Sequence, residues 1–326
     1  MDFKKRKTNK ILSLISYLVV VVIFYFLIKT LFVNWQRIKD YKLSFNYLDL
    51  LVAFVCGVSS VIVLSLVWRK IIKKIDSSAQ LSYRSTFKIY VYAWIGRYVP
   101  GKIWIFVGKI YLGVKERLKF KTLALASFLE LALYLISQSL LSLFFLIFYL
   151  REVSIFQQEY IKALLFVLIF LLLIVVHPNI LSFAANKALR IFKKDQIPRE
   201  NFLSYGAGFG VIIYYFFPSV LYGLSFVFLL KSFFGLPGEN IMLVLGSFVL
   251  ANIIGEVALF APVGLGIREG VLVGLLQLFI PLPIAILASL LSRIWFILID
   301  LFLLLCNVGM GIKTKGVSPT TANEIM

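Results

Sequence analysis

The sequence predicts an all-α protein: a polytopic membrane bundle of helices with two broken, re-entrant hairpins. Three observations predict it. Hydrophobic residues make up 61% of the 326-residue chain and charged residues 15%, against about 45–50% and about 25% in soluble domains. The mean hydropathy is +0.96. The apolar residues gather in runs long enough to cross a bilayer, and two further apolar stretches are interrupted by proline, glycine and charge. One soluble core cannot hide so much apolar surface, which excludes a soluble globular enzyme. The abundance of Phe, with 31 residues, excludes disorder.

A hydrocarbon core about 30 Å thick takes about 20 helical residues at about 1.5 Å each. Runs of that length lie at about 11–33, 47–68, 122–149, 161–181, 205–230 and 284–308. The first follows the arm MDFKKRKTNK and is too long for a signal-peptide core, so it reads as a retained helix. Two stretches, about 83–104 and 241–281, are apolar but irregular. Loops are short. The expected organisation is a basic arm at 1–10, one transmembrane domain at 11–310 and a polar tail at 311–326.

The formal net charge is +19. On a chain this apolar, basic residues mark cytoplasmic loops rather than nucleic-acid contacts, and no nucleic-acid partner is expected. Basic clusters occupy the N-terminal arm, residues 69–74, residues 102–121 (Lys109 among them), residues 187–199 and the tail. Placing them on one side puts both termini in the cytoplasm of a cell-membrane protein. A full crossing at 83–100 would send the cluster that begins at Lys102 outside, so this stretch is expected to dip in and return. The stretch 241–281 starts and ends on the other side. It is a hairpin from the opposite face or two full crossings, and parity does not separate the two. Two broken elements entering from opposite sides is the pattern of an inverted repeat meeting near the midplane. Proline kinks in ordinary helices are the plainer alternative.

The breaks hold the candidate chemistry. In Gly96-Arg97-Tyr98-Val99-Pro100-Gly101-Lys102, proline removes an amide donor and glycine permits a turn. Backbone groups freed this way cannot face lipid, so the turn must be buried or line a wet cavity. Arg97 suits bidentate binding of a phosphate, and Lys102 adds a point charge. Both could instead reach the headgroups by snorkelling. In Pro262-Val263-Gly264-Leu265-Gly266-Ile267-Arg268-Glu269-Gly270, a helix starting after the glycines aims amide donors at the break. Arg268 strengthens that anion site, and Glu269 is placed to orient an arginine or cap the helix. A purely structural Arg–Glu pair is the alternative.

Single charges also interrupt the spans: Glu130, Glu256, Arg293 and Asp300. Each must face the bundle interior, a cavity or a partner. Arg293 and Asp300 are seven residues apart on one helix face, so partners on other helices are expected. His177, followed by Pro178, reads as a helix end. Residues 187–194 are a surface amphipathic helix on anionic lipid or a solvated loop.

With one histidine and only Cys56 and Cys306 as thiols, no His/Cys metal site and no disulfide framework is expected. Neither a nucleophile elbow, nor a zincin motif, nor a phosphate loop is present, so no cofactor is expected and enzymatic activity has no sequence support.

GRYVPGKIW, a basic loop, a glutamate-bearing span and then PVGLGIREG together resemble the lysylphosphatidylglycerol synthase transmembrane, flippase-like family. The resemblance runs from the first span to the last. It implies that Arg97, Pro100, Gly101, Glu130, Pro262, Gly264, Gly266, Arg268 and Glu269 shape a cavity. In full synthases of this type a soluble aminoacyl-transferase domain follows the membrane part. This chain ends at Met326 after a short tail, so the resemblance implies the translocating half as a stand-alone member. The expected function is a lipid transporter for a phosphate-containing polar lipid or a polyprenyl-phosphate-linked lipid. Arg97 and Arg268 are its expected phosphate contacts, Lys102 and Arg293 are further expected substrate-binding residues with structural ion pairing the alternative for Arg293, and Glu130, Glu256 and Glu269 orient the arginines or accept a proton. The alternatives are a membrane subunit that recruits a cytoplasmic synthase and an integral-membrane transferase.

Overall fold

The computed structural model of the chain describes residues 45–98, 103–149, 159–191, 196–258 and 264–309, with Tyr25, Lys29, Phe32 and Val33 before them. The basic arm, most of the expected span at 11–33, the tail, and the candidate residues Pro100, Gly101, Lys102 and Pro262 lie outside the described residues. Ten α-helices are described after residue 45: α1 (Tyr47–Ile75), α2 (Tyr83–Trp94), α3 (Ile103–Lys115), α4 (Phe120–Tyr149), α5 (Glu159–Val175), α6 (Pro178–Ile191), α7 (Tyr205–Phe233), α8 (Ile241–Val257), α9 (Ile267–Leu276) and α10 (Leu282–Gly309). No strand occurs among the described residues. Among the described residues five helices, α1, α4, α7, α8 and α10, are long and apolar enough to cross a membrane, or six spans if the bent pair α5–α6 counts as one.

The centre of the bundle is an antiparallel pair. Helices α1 and α7 are 29 residues each, about 43 Å long at about 1.5 Å per residue. Three hydrogen bonds fix their register. Asn46 N–H donates to Ser232 O (2.7 Å), Ser225 Oγ to Ala53 O (2.7 Å) and Ser60 Oγ to Pro218 O (2.8 Å). Each step of seven residues along α1 matches a step of seven back along α7. Small residues let the backbones approach this closely, and a buried serine hydroxyl finds its partner on the neighbouring main chain. At Gly57 a side chain would run into Ile299 and Ser225.

Each central helix is followed by a hairpin and then by a long helix. After α1 come α2 and α3, with a 3₁₀ turn at Ile95–Tyr98 between them. Ser85 Oγ donates to Glu116 Oε2 (3.1 Å), Gly108 packs on Ala93, and Gly96 packs on the Trp104 backbone. These contacts hold one antiparallel register, so the two arms return to the same level. Arms of 12 and 13 residues rise about 18–20 Å and cannot each cross about 30 Å of hydrocarbon. The first hairpin therefore dips and returns, as the charge pattern predicts.

After α7 come α8 and α9. Gly264 approaches Gly255, and Arg268 bonds to Asn252, so α9 folds back along α8. The ten residues of α9 rise about 15 Å. That is too short for a crossing, so of the two readings open for 241–281 the second full crossing falls. Gly264 has φ +67° and Gly266 φ +83°, a left-handed backbone that glycine tolerates. A β-carbon on Gly264 would meet the Gly255 Cα at 2.5 Å. Gly264→Ala should lower stability by about 2–5 kcal/mol, from strained φ plus a clash with backbone. Gly274→Ala, where nothing lies within 4 Å, should change it by about 1 kcal/mol or less and in the stabilising direction. Thermal unfolding in detergent checks both.

The order long helix, hairpin, long helix thus occurs twice and in opposite directions, as α1–α4 and α7–α10. Packing is exchanged between the halves: α2 lies on α10 and α8 lies on α4. This is the inverted repeat that the two breaks predict. One span departs from expectation. The run at 161–181 is not a single helix, because α5 stops at Val175 and α6 leaves it at 72°. Pro178 opens α6 as its first residue, where a missing amide costs nothing. Helix α6 carries Leu181 and Ala185 inward, with Lys187 and Arg190 exposed. Up to Ile191, the stretch around 187 is therefore helical rather than an irregular loop.

Candidate functional site

The two hairpins approach each other along α10. Just before the middle of α10, Ser292 Oγ accepts from Arg268 Nη2 (3.3 Å), and Arg293 bonds Glu269, both partners belonging to α9. Towards its end, Asn307 Nδ2 donates to Lys88 O of α2 (3.2 Å). Between these levels, Asp300 meets the break of the first hairpin. Arg293 and Asp300 are about 10 Å apart along the helix and bracket its middle. The tips of two hairpins from opposite ends therefore meet half-way through the bundle.

A cavity lies at that meeting point. Arg97, Lys109, Arg268 and Arg293 all line it, together with Glu130 and Glu256. Its solvent-accessible volume is about 150 Å³, some ten times the ~10–15 Å³ that one water needs by the same measure. Leu131 of α4 also lines it and is 40% exposed. Leu131 belongs to a stripe with Ala124, Phe128 and Leu135 that α4 leaves partly uncovered. Leu131 therefore gives the cavity wall an apolar rim on a helix face that the other described residues leave partly uncovered.

Three ionic clusters surround it. In the first, the Arg97 guanidinium lies 2.9 Å from Asp300 Oδ2, and Tyr98 Oη (2.6 Å) and Trp94 Nε1 (3.1 Å) donate to the same carboxylate. Arg97 stacks 4.6 Å from the Trp94 ring. Its Nε–H is buried and has no partner among the described residues. In the second, Lys109 bonds Glu130, and Tyr90 Oη donates to Glu130 Oε1 (2.8 Å). The Lys109 ammonium sits 4.0 Å over the Tyr90 ring. In the third, Glu269 is fully buried. It accepts from Gly266 N–H (2.7 Å), from Arg268 Nη1 (3.0 Å) and from Arg293. Asn252 Oδ1 accepts from Arg268 Nε (2.9 Å).

The structure brings Arg97, Glu130, Glu256, Arg268 and Arg293 of the expected residues to one cavity. Glu269 lies behind the arginines, holding them, and Gly264 and Gly266 shape the turn that presents Arg268. Arg293 and Asp300 pair with different hairpins rather than with each other, as their spacing predicts. Lys109 corrects the charge count. It is not a loop residue but sits 2% exposed inside α3 against Glu130. The signal was available, since IWIFVGKIYLGV is apolar on both sides of the lysine. Tyr90, Trp94, Tyr98 and Asn252 also escaped the sequence reading, because an aromatic or amide side chain in a membrane helix says nothing of what it faces.

A buried ion pair that loses one member leaves a charge without compensation. Lys109→Met should therefore cost about 3–5 kcal/mol, and Lys109→Met with Glu130→Gln distinctly less. A double-mutant cycle on unfolding temperature measures the difference.

The fold and the cavity together define a multi-pass membrane protein of inverted-repeat build with a charged chamber at mid-depth. A family model of the lysylphosphatidylglycerol synthase TM region matches residues 13–303. The chain belongs to that family. Comparison with curated proteins finds no significant match.

Proposed function

We propose that the protein is a lipid transporter of the flippase type, moving a phosphate-bearing polar or polyprenyl-linked lipid across the cell membrane, with both termini in the cytoplasm. The observation that carries this reading is the convergence of four cationic side chains on one cavity, one of them, Arg97, with an N–H that has no partner among the described residues. Ionised groups at this depth are costly and mark substrate paths. Guanidinium groups match phosphate oxygens in bidentate geometry. The rim at Leu131 lets acyl or prenyl chains stay in hydrocarbon while the headgroup occupies the chamber. Arg97 and Arg268 hold the phosphate, Glu269 and Asn252 hold Arg268 in place, and Glu256 borders the headgroup.

The test is reconstitution into liposomes with an acyl-labelled phospholipid, scoring the fraction of label open to a membrane-impermeant quencher over time. The expected result is exchange faster than in empty vesicles and slowed in Arg97→Ala and in Arg268→Ala. Exchange no faster than in empty vesicles for every anionic phospholipid and polyprenyl phosphate tried would overturn the reading.

A further inference from the structure

Helix α4 buries a row of polar side chains that its neighbours leave partly unsatisfied. Glu130, Tyr134, Gln138 and Ser142 recur at every fourth residue, so they form one ridge of the helix. Ser127 and Ser137 flank it. All are buried, Gln138 at 2% and Ser142 at 0% exposure. Helices α7 and α8 cover the ridge. Ser137 Oγ donates to Ile212 O of α7 (3.1 Å), the Tyr134 ring centroid lies 5.3 Å from that of Tyr215, and Gly246 of α8 packs on Phe145 beside the Ser142 carbonyl. The row starts in the chamber, whose wall includes Ser127, Glu130 and Tyr134. Ser142 lies about 18 Å further along α4 than Glu130.

Four polar atoms on or beside this row are buried without a hydrogen-bond partner among the described residues: Ser127 Oγ, Gln138 Oε1, Ser142 Oγ and Tyr215 Oη. The buried serines of α1 and α7 behave otherwise. Ser60, Ser65, Ser219, Ser225 and Ser232 each donate to a main-chain carbonyl. A serine in a helix has such a carbonyl within reach one turn back, so Ser127 and Ser142 leave theirs unused. A buried polar atom without a partner is costly, and four together call for a shared partner. Successive residues of the ridge are about 5–6 Å apart, a gap that one water spans with two hydrogen bonds. Gln138 Oε1 can only accept, whereas the three hydroxyls both donate and accept. A buried water takes about 2–4 such partners.

We propose that a file of bound water runs from the chamber along α4, under α7 and α8, past Tyr215 and Gln138 to Ser142. The file extends the wet region beyond the chamber itself and hydrates it from the C-terminal half of α4. It is read from hydrogen bonding alone and does not depend on what the chamber carries.

The experiment is X-ray radiolysis of the full chain in phosphatidylcholine nanodiscs, with the oxidised side chains located by mass spectrometry. Hydroxyl radicals form from water where it stands, so a buried side chain is oxidised when bound water is beside it. The wild type should show dose-dependent oxidation at Tyr215, which is fully buried, and at Phe145, one turn beyond Ser142. Phe226 and Phe233, also buried on α7, should show none. In Ser142→Cys the thiol should be oxidised to the sulfinic or sulfonic acid. In Ser225→Cys, where the native hydroxyl is already paired with Ala53 O, it should stay reduced. Oxidation at Tyr215 but not at Phe145 confines the water to the chamber and overturns the file. So does a folded Ser142→Cys whose thiol stays reduced, and so does oxidation of Phe226 and Phe233 to the same extent as Tyr215. No oxidation at either wild-type site overturns it outright. The wild-type reporters need no variant, so they decide the matter if Ser142→Cys fails to fold. All these results leave the transporter reading standing, because lipid exchange is scored separately.

Discussion

Replacing Glu269 by alanine is expected to cost about 3–5 kcal/mol of stability, the scale for breaking a buried ionic cluster. The carboxylate is fully buried and does three jobs at once. Its Oε2 accepts the amide of Gly266 at the start of α9, and its Oε1 accepts from Arg268 and Arg293. Alanine leaves one amide uncapped and brings two guanidiniums together with nothing between them. Glu269→Gln keeps an acceptor but not the charge, and should fall between. The unfolding temperature of the detergent-purified protein, followed by size-exclusion chromatography after heating, reads the order wild type, glutamine, alanine. An alanine variant within about 1 kcal/mol of wild type would mean that Arg268 and Arg293 find other partners and that Glu269 is not their anchor.

The largest expected effect on transport is at Arg97. Losing charge-assisted hydrogen bonds to phosphate is worth about 1.5–3 kcal/mol, so Arg97→Ala should slow lipid exchange by roughly tenfold to a hundredfold. The same change strips Asp300 of its cation, and a folding defect would mimic loss of function. The double variant Arg97→Ala with Asp300→Asn removes that ambiguity, since it leaves no unpaired charge in this cluster. It should be close to wild type in unfolding temperature and as slow as Arg97→Ala in exchange. Arg97→Lys keeps the charge and loses the fork, so an intermediate rate is expected. A double variant that exchanges lipid at the wild-type rate would remove Arg97 from the substrate path.

The sequence made the membrane class, the long spans and the two breaks legible, because hydropathy, helix-breaking residues and charge are local properties. Arg97 and Arg268 were visible for the same reason: each is a charge beside a proline or a pair of glycines in an apolar stretch. Their shared cavity was inferred from the opposite entry of the two breaks, and the structure supplies the helix that brings them together. The positions that stayed hidden depend on contacts between distant segments. Asp300 meets Arg97 only because α2 lies along α10, more than 200 residues away in the chain. A charge tally treats Lys109 as a loop residue like any other lysine, whereas α3 buries it against Glu130. The α1–α7 register could not be read either. Both helices are apolar on all sides, and only Ser60, Ser225 and the Asn46–Ser232 contact mark which residues face each other. His177 and Pro178 mark in the sequence the helix end that follows Val175, but not the 72° bend into a new helix, since a proline at the first turn of a new helix and a proline after an old one look alike in sequence.

The chamber at the middle of α10 is the account's central claim, and mass spectrometry of the native protein tests it most directly. Wild-type protein purified gently from its membrane should carry a phosphate-bearing lipid at about one per chain, surviving detergent exchange. Arg97→Ala with Asp300→Asn should lose that lipid while remaining folded. Equal retention of the same lipid by the folded double variant, or no retained phospholipid or polyprenyl phosphate on the wild type, would contradict a headgroup site between the two hairpins.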